Sequence, residues 1–271
     1  MTTAHAIDAR TSAGFTLLEM AIVLFIIGLL TAGLIGPVEI QIEARDRHTT
    51  RIQMEQVVDA LYGYALTNGR LPCPDVDGDG LPDPAFNAAA PATCAPGPGF
   101  VPWAELGVEP GDAWGNRLDY RVRSPDFTTP AQDTTCNGDS VHEFDLCALG
   151  NISVDTRGDN AATPGTSEGK FRFPAATSTN VAAVVVSHGR NGYGATAVDG
   201  AKRGLVPAGN NDEAENADGD ATFITRNYSP AQSGCADNQN EGSPLCEFDD
   251  LVMTVSRPIL NGRMVSAGRL P

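Results

Sequence analysis

At 271 residues, with 41% apolar side chains, the chain is long enough for one large domain or two small ones. Its balance of 18 basic against 34 acidic residues gives a formal charge of −16, which repels phosphate backbones and excludes a nucleic-acid role. Such a surface suits divalent cations or basic partners, and the 29 Gly and 19 Pro imply many turns and long loops.

Met1 to Gly14 is short and polar, with a single Arg and no apolar face, and reads as a leader peptide rather than as part of a fold. From Met20 to Val38 there are nineteen residues without a charge, about enough to cross a membrane as a helix. Glu19 stands at the start of that run. A carboxylate there costs on the order of 2.5–3.5 kcal/mol at mid-membrane and less at the interface. Two readings account for it: a Glu snorkelling at the interface of a simple anchor, or a Glu held for a partner. An ordinary secretory signal cut near Thr31-Ala32-Gly33 is the rival to retention of the segment. It is disfavoured by the weakly basic start and by Glu19 itself.

Gly14-Phe15-Thr16-Leu17-Leu18-Glu19, with the apolar run behind it, resembles the type IV pilin and type II secretion pseudopilin family. In that family the leader ends in Gly, Phe usually follows, and a Glu stands fifth from the cut. The resemblance implies cleavage between Gly14 and Phe15 by the prepilin peptidase and N-methylation of Phe15. It also implies assembly with other pilin or pseudopilin subunits, Glu19 pairing with a neighbour's methylated amine. Ala13, where the family commonly has a basic residue, departs from the pattern. The implied localisation is a single-pass inner-membrane protein whose head lies in the periplasm or on an extracellular filament.

Gly36-Pro37 predicts a loosening of the helix. Beyond it Met54, Val57, Val58, Leu61 and Ala65 follow the i, i+3, i+4, i+7 stripe, with Arg51, Glu55 and Asp59 away from it. Asn68-Gly69 supplies a C-cap and Pro72 a stop. The expected division is therefore a leader (1–14), a helix (15–68, transmembrane about 20–38 and amphipathic 39–68) and a β-rich head (69–271). A helix from Thr16 to Asn68 would run about 80 Å.

Asp75, Asp77, Asp79 and Asp83 take positions 1, 3, 5 and 9 of a calcium-loop spacing, with Gly80 at position 6 and the Leu81 carbonyl at 7. Position 12 is Phe86, so the bidentate Glu of an EF-hand is missing. The stretch is closer to the short DxDGDGxxD loops of extracellular calcium repeats. Plain solvated turns share this composition, and the pattern fits both.

Six cysteines, Cys73, Cys94, Cys136, Cys147, Cys235 and Cys246, follow the apolar run, and none lies in a CxxC. Sequence-local pairs are expected, since 136–147 and 235–246 enclose matching intervals, and a 73–94 bridge would enclose the Asp-rich loop. Pairing would imply an oxidising compartment. Free buried thiols are the alternative.

Asp112-Ala113-Trp114-Gly115-Asn116-Arg117-Leu118-Asp119-Tyr120 resembles the DPWGNPYxY segment of the major pseudopilin. That resemblance implies that Trp114 packs the head onto the helix. Leu118, Tyr120 and Val122 alternate as a strand does. Thr128 to Gly169 reads as an insertion with a strand near Val141–Leu149, and Phe171–Phe173 as another short strand. Val181–Ser187 is a central strand. His188-Gly189-Arg190-Asn191-Gly192-Tyr193-Gly194 follows in the manner of the pseudopilin YDxxSxGxDG segment. Neither GxSxG nor a Walker lysine is present, so no enzyme is expected. Residues 199–247 read as a second polar insertion, Phe248–Val255 as the closing strand, and Pro258–Leu270 as a terminal helix. In the major pseudopilin a similar Asp-bearing segment closes the sheet beside calcium-binding loops, which makes Asp249 and Asp250 further metal candidates. Capping or a hairpin role is their alternative.

The expected fold class is α+β and pilin-like: a long helix packed on an antiparallel sheet with disulfide-bearing insertions. The expected function is a minor pilin or pseudopilin-like structural subunit. A calcium-stabilised adhesin or substrate-binding head displayed at a filament tip or on an anchor is the alternative.

Overall fold

A computed structural model of the protein describes residues 16–87, 94–95, 99–130, 143–158, 169–176, 178–240 and 242–270, apart from the side chains of 31–39 and 178. The chain divides into two compact units, Met1–Arg45 and Asp46–Pro271. Helix α1, Leu17–Asn68, is a single 52-residue element and continues through Gly36-Pro37, where the sequence predicts loosening. The loss of one backbone donor at Pro37 is small against so many successive i→i−4 bonds.

In the first unit the described side chains from Thr16 to Leu30 are all exposed, Leu17 at 92% and Phe25 at 71% among them. Among the described residues no helix is long and apolar enough to cross a membrane. The expected span, 20–38, falls partly on 31–39, whose side chains lie outside the described residues. The stretch Leu17–Leu30 alone rises about 21 Å, short of the roughly 30 Å of a bilayer core.

The second unit contains strands β1 (Gly99–Phe100), β2 (Asp119–Val122), β3 (Ser153–Gly158), β4 (Phe171–Ala176), β5 (Val181–Ser187), β6 (Thr222–Ile224) and β7 (Leu251–Ser256). Helices α2 (Trp103–Leu106), α3 (Asn211–Ala217) and α4 (Arg257–Ser266), with a 3-10 turn at Ser178–Asn180, complete the described elements. One antiparallel sheet has the order β1-β2-β5-β7. The other, ordered β4-β3-β6, is mixed: β3 pairs antiparallel with β4 and parallel with β6. This second sheet departs from the expected single antiparallel sheet.

Period-2 alternation explains the packing. Leu118, Tyr120, Val122, Ala183, Val185 and Val255 join the core built with Met54, Val57, Leu61, Tyr62 and Ala65 of α1. Val184 and Val186 point the other way, into a second core with Ile152, Val154 and Phe223, and Val252 packs against it. β5 is therefore buried at every position, and apolar from Val181 to Val186, because both of its faces are covered.

The end of α1 is closed in two ways. Gly69, at φ 72°, donates its N–H to Ala65 O at 2.8 Å, and Arg269 donates to Leu66 O and Thr67 O, each at 2.7 Å.

Three further expectations change. No strand forms over 143–149, while 141 and 142 lie outside the described residues; Phe144 makes one bridge to Pro130, and the Asp145 carboxylate turns the chain by accepting from Cys147 and Ala148 N–H. The closing strand starts at Leu251 rather than Phe248, because Asp249 N–H goes to Glu213 at 3.1 Å instead of to a ladder partner. The polar 199–247 stretch contains α3 and β6, which its composition hides. Trp114 is half-buried, and the segment meets α1 through Ala113 N–H donating to the buried Thr50 Oγ1 at 3.1 Å.

Candidate functional site

Gly14 and Phe15 lie outside the described residues. At the start of α1, Glu19 Oε2 accepts from the Thr16 N–H and Oγ1, both at 2.9 Å, and Thr16 Oγ1 accepts from Glu19 N–H at 3.2 Å. This reciprocal pair is a capping box that satisfies otherwise orphaned helix-start donors. The Thr16-x-x-Glu19 spacing carries that signal, and reading Glu19 only as an assembly residue misses it.

The Asp-rich loop is held by its own carboxylates. Asp75, fully buried, accepts from Gly78 N–H at 2.6 Å with Oδ1 and from Gly80 N–H at 2.8 Å with Oδ2. Asp77 accepts from Asp79 N–H, Asp79 from Leu81 N–H, and Asp83 from Val76 and Asp77 N–H. Asp75, Asp77 and Asp83 can bring one ligand atom each within 4.8 Å of one another, while Asp79 stands outside that group. Arg117 already supplies positive charge: Nη1 is 4.0 Å from Asp75 Oδ2 and donates to Gly78 O at 2.9 Å. Burial raises the Asp75 pKa, and the Gly80 and Gly78 N–H groups work against that rise.

A second group of carboxylates gathers where β5 ends and its neighbour β7 begins, with α3 contributing Glu213. Glu213, Asp249 and Asp250 are all buried, and their ligand atoms also lie within 4.8 Å of one another. Asn191 donates its N–H to Asp249 Oδ2 and its Nδ2 to Glu213 Oε1, both at 2.9 Å. Asn210 Nδ2 donates to Glu213 Oε2 at 2.6 Å, and Asn216 Nδ2 to Asp250 Oδ2 at 2.8 Å. Gly189, at φ 56°, permits this crowding, since a Cβ there would collide with the Asp249 carboxylate. Asp249 Oδ1, Asp250 Oδ1 and Asn210 Oδ1 are buried and have no hydrogen-bond partner.

His188 closes the far side, fully buried, with Nε2 3.1 Å from Asp119 Oδ2 and Nδ1 3.8 Å from Asp250 Oδ1. Its neighbour Ser187 donates instead to Asp112 Oδ2 at 2.7 Å, so the two side chains serve different partners. Burial pushes Asp249 up to about 7, with Glu213 and Glu247 adding to the rise and Asn191 N–H opposing it. Burial lifts Asp250 to about 8 against the pull of His188, and it raises Glu213 as well. Burial pulls His188 down, but Asp119, Asp250 and Asp112 outweigh it and raise the imidazole to about 9.

Three buried carboxylates in one array repel each other unless protons or a cation separate them. Hard oxygens, including three without partners, suit a calcium-like ion that takes oxygen ligands at about 2.3–2.6 Å. Glu213, absent from the sequence candidates, is the residue that completes the group. The described oxygens of Asp75–Asp83 are largely engaged with backbone N–H groups, whereas Asp249 and Asp250 each keep one buried oxygen without a partner.

Cys73–Cys94 and Cys235–Cys246 are disulfides, as expected from their local spacing. Cys147 is also disulfide-bonded, but the Cys136–Cys147 pairing lies outside the described residues because Cys136 does.

Comparison with curated proteins and with solved structures gives no match. A family model, the prokaryotic N-terminal methylation motif, matches residues 9–35. That interval spans Gly14, Phe15 and Glu19, and it supports recognition of the chain as a relative of the type IV pilins and pseudopilins.

Proposed function

We propose that the protein is a minor pilin or pseudopilin-like filament subunit that works by assembly, with no chemistry on a substrate. The observation that carries this reading is the methylation motif at 9–35 overlapping a helix whose described apolar side chains, Leu17 to Leu30, are all exposed. Exposed surface of that kind needs either lipid or neighbouring helices. The subunit waits in the inner membrane by its apolar run, loses its leader to prepilin peptidase, and joins other subunits in a periplasmic or extracellular filament. Mass spectrometry of the chain from membranes tests the first step. The expected N-terminus is Phe15 carrying one added methyl group; an intact leader or a cut near Gly33 would defeat the proposal. Glu19→Ala should leave cleavage intact and abolish recovery of the chain in sheared filaments.

The buried oxygens of Asp249, Asp250 and Asn210 favour a second, compatible reading: a calcium-stabilised binding head displayed by that filament. When bound, the ion would supply positive charge among Glu213, Asp249 and Asp250. Melting the full chain in detergent, with calcium and with chelator, should give a higher transition with calcium. Superimposable curves would remove the metal.

A further inference from the structure

Glu213 and Asp249 come from segments separated by 36 positions, and α3, which bears Glu213, is only Asn211–Ala217. A helix so short does not hold its own position. Asp249 N–H and Asn191 join the two acids directly, and the segments that bear them are braced from outside. Arg226, on the loop after β6 with only 4% of its side chain exposed, contacts the immediate neighbours of both. Its Nε donates to Asp212 Oδ2 at 2.8 Å, and Asp212 directly precedes Glu213. Its guanidinium lies 4.4 Å over the Phe248 ring, and Phe248 directly precedes Asp249. Nη2 donates to Cys246 O at 3.1 Å and reaches Asp237 Oδ1 at 3.5 Å, and Nη1 donates to Ser229 Oγ at 2.5 Å.

The partners of Arg226 are fixed in turn. Arg157 grips Asp212 with Nε at 2.9 and 2.7 Å and with Nη2 at 2.6 Å. Asp237 accepts from Cys246 N–H at 2.9 Å and from Asp212 N–H at 3.3 Å, inside the loop closed by Cys235–Cys246. None of the hydrogen bonds described for Arg226 goes to Glu213, Asp249 or Asp250.

We infer that Arg226 is the positioning residue of the buried acidic cluster, holding Asp212 and Phe248 so that Glu213 and Asp249 converge on one hard divalent cation. The inference rests on the cation reading above. A lysine keeps the charge but loses the planar fork that serves Asp212, Cys246 O and Ser229 together. Outer partners of metal ligands typically govern affinity by about 10–100-fold.

The test is calorimetric titration of the full chain in detergent with calcium chloride, paired with melts in calcium and in chelator. Wild type should bind, Asp249→Asn should lose binding, and Arg226→Lys should bind about 10–100-fold more weakly, with a smaller calcium-induced rise in melting temperature. A merely structural arginine would lower both melts equally and leave that rise intact, which overturns the inference while the cation reading stands. No binding by wild type overturns both. Should Arg226→Lys not melt cooperatively, Phe248→Leu takes the ring from beneath the guanidinium while keeping a buried apolar side chain. Weakened calcium binding by that variant supports the positioning role, and wild-type affinity overturns it.

Discussion

Asp249 and Asp250 are carried by folding to a place where ionisation is costly, and this sets a pH dependence of known sign. Their folded values, about 7 and about 8, lie above the ordinary 3.8 of an aspartate, so between about pH 4 and pH 8 these two groups hold more protons in the folded chain than in the unfolded one. Without a cation, stability falls as pH rises through that window. His188 acts in the same sense: raised to about 9, its contribution is complete below its ordinary 6.5 and is lost as pH climbs through 9. In chelator, Asp249→Asn should therefore gain stability relative to wild type between pH 5 and pH 8, on the order of 2–4 kcal/mol. Melts across that range check it, and a flat difference would place Asp249 in a wetter setting. At this scale the sequence was legible where spacing is local. The Asp75–Asp83 turns are read from adjacent residues, and Thr16-x-x-Glu19, equally local, carries a capping signal that the assembly reading of Glu19 passes over. The convergence of Glu213 with Asp249 was not, because it depends on long-range packing and on the neighbours gripped by Arg226.

Among the elements, α1 and β5 were the easiest to read. Met54, Val57, Leu61 and Ala65 of the stripe are fully buried and Val58 partly, and Val181–Ser187, apolar through Val186, is the one described strand buried at every position. α3 and β6 were hidden because they are stabilised by side-chain bonds rather than by an apolar face: Asn216 both donates to Ile224 O at 3.1 Å and accepts from Ile224 N–H at 2.7 Å. No local periodicity records such a bond. The antiparallel partners of β5 leave Val185 with no exposed surface, packed toward α1. Val185→Ala should cost about 2–3 kcal/mol, from lost transfer energy plus the cavity left behind. Denaturant unfolding measures it, and a loss under about 0.5 kcal/mol would mean that the neighbours collapse into the gap.

For the molecule as a whole, composition foretold a loop-rich, acidic protein with paired cysteines. The two disulfides with described partners close segments of 21 and 11 positions beside the two acidic groups. What composition could not show is that the described residues of the second unit form two cores rather than one, the further core resting on a mixed three-stranded sheet. Both cores are walled by the same strand. Ala183 and Val185 serve one, and Val184 and Val186 the other. Neither core can open fully without disturbing β5, so solvent reaches its amides only when both have given way. In hydrogen–deuterium exchange the amides of Val184, Val185 and Val186 should be the slowest in the chain, with protection equal to the global unfolding free energy. Amides of β3 and β4 should exchange sooner. A single run of valines thus becomes a clock for the entire unit, and faster exchange there than in α1 near Leu61 would show that the cores come apart separately.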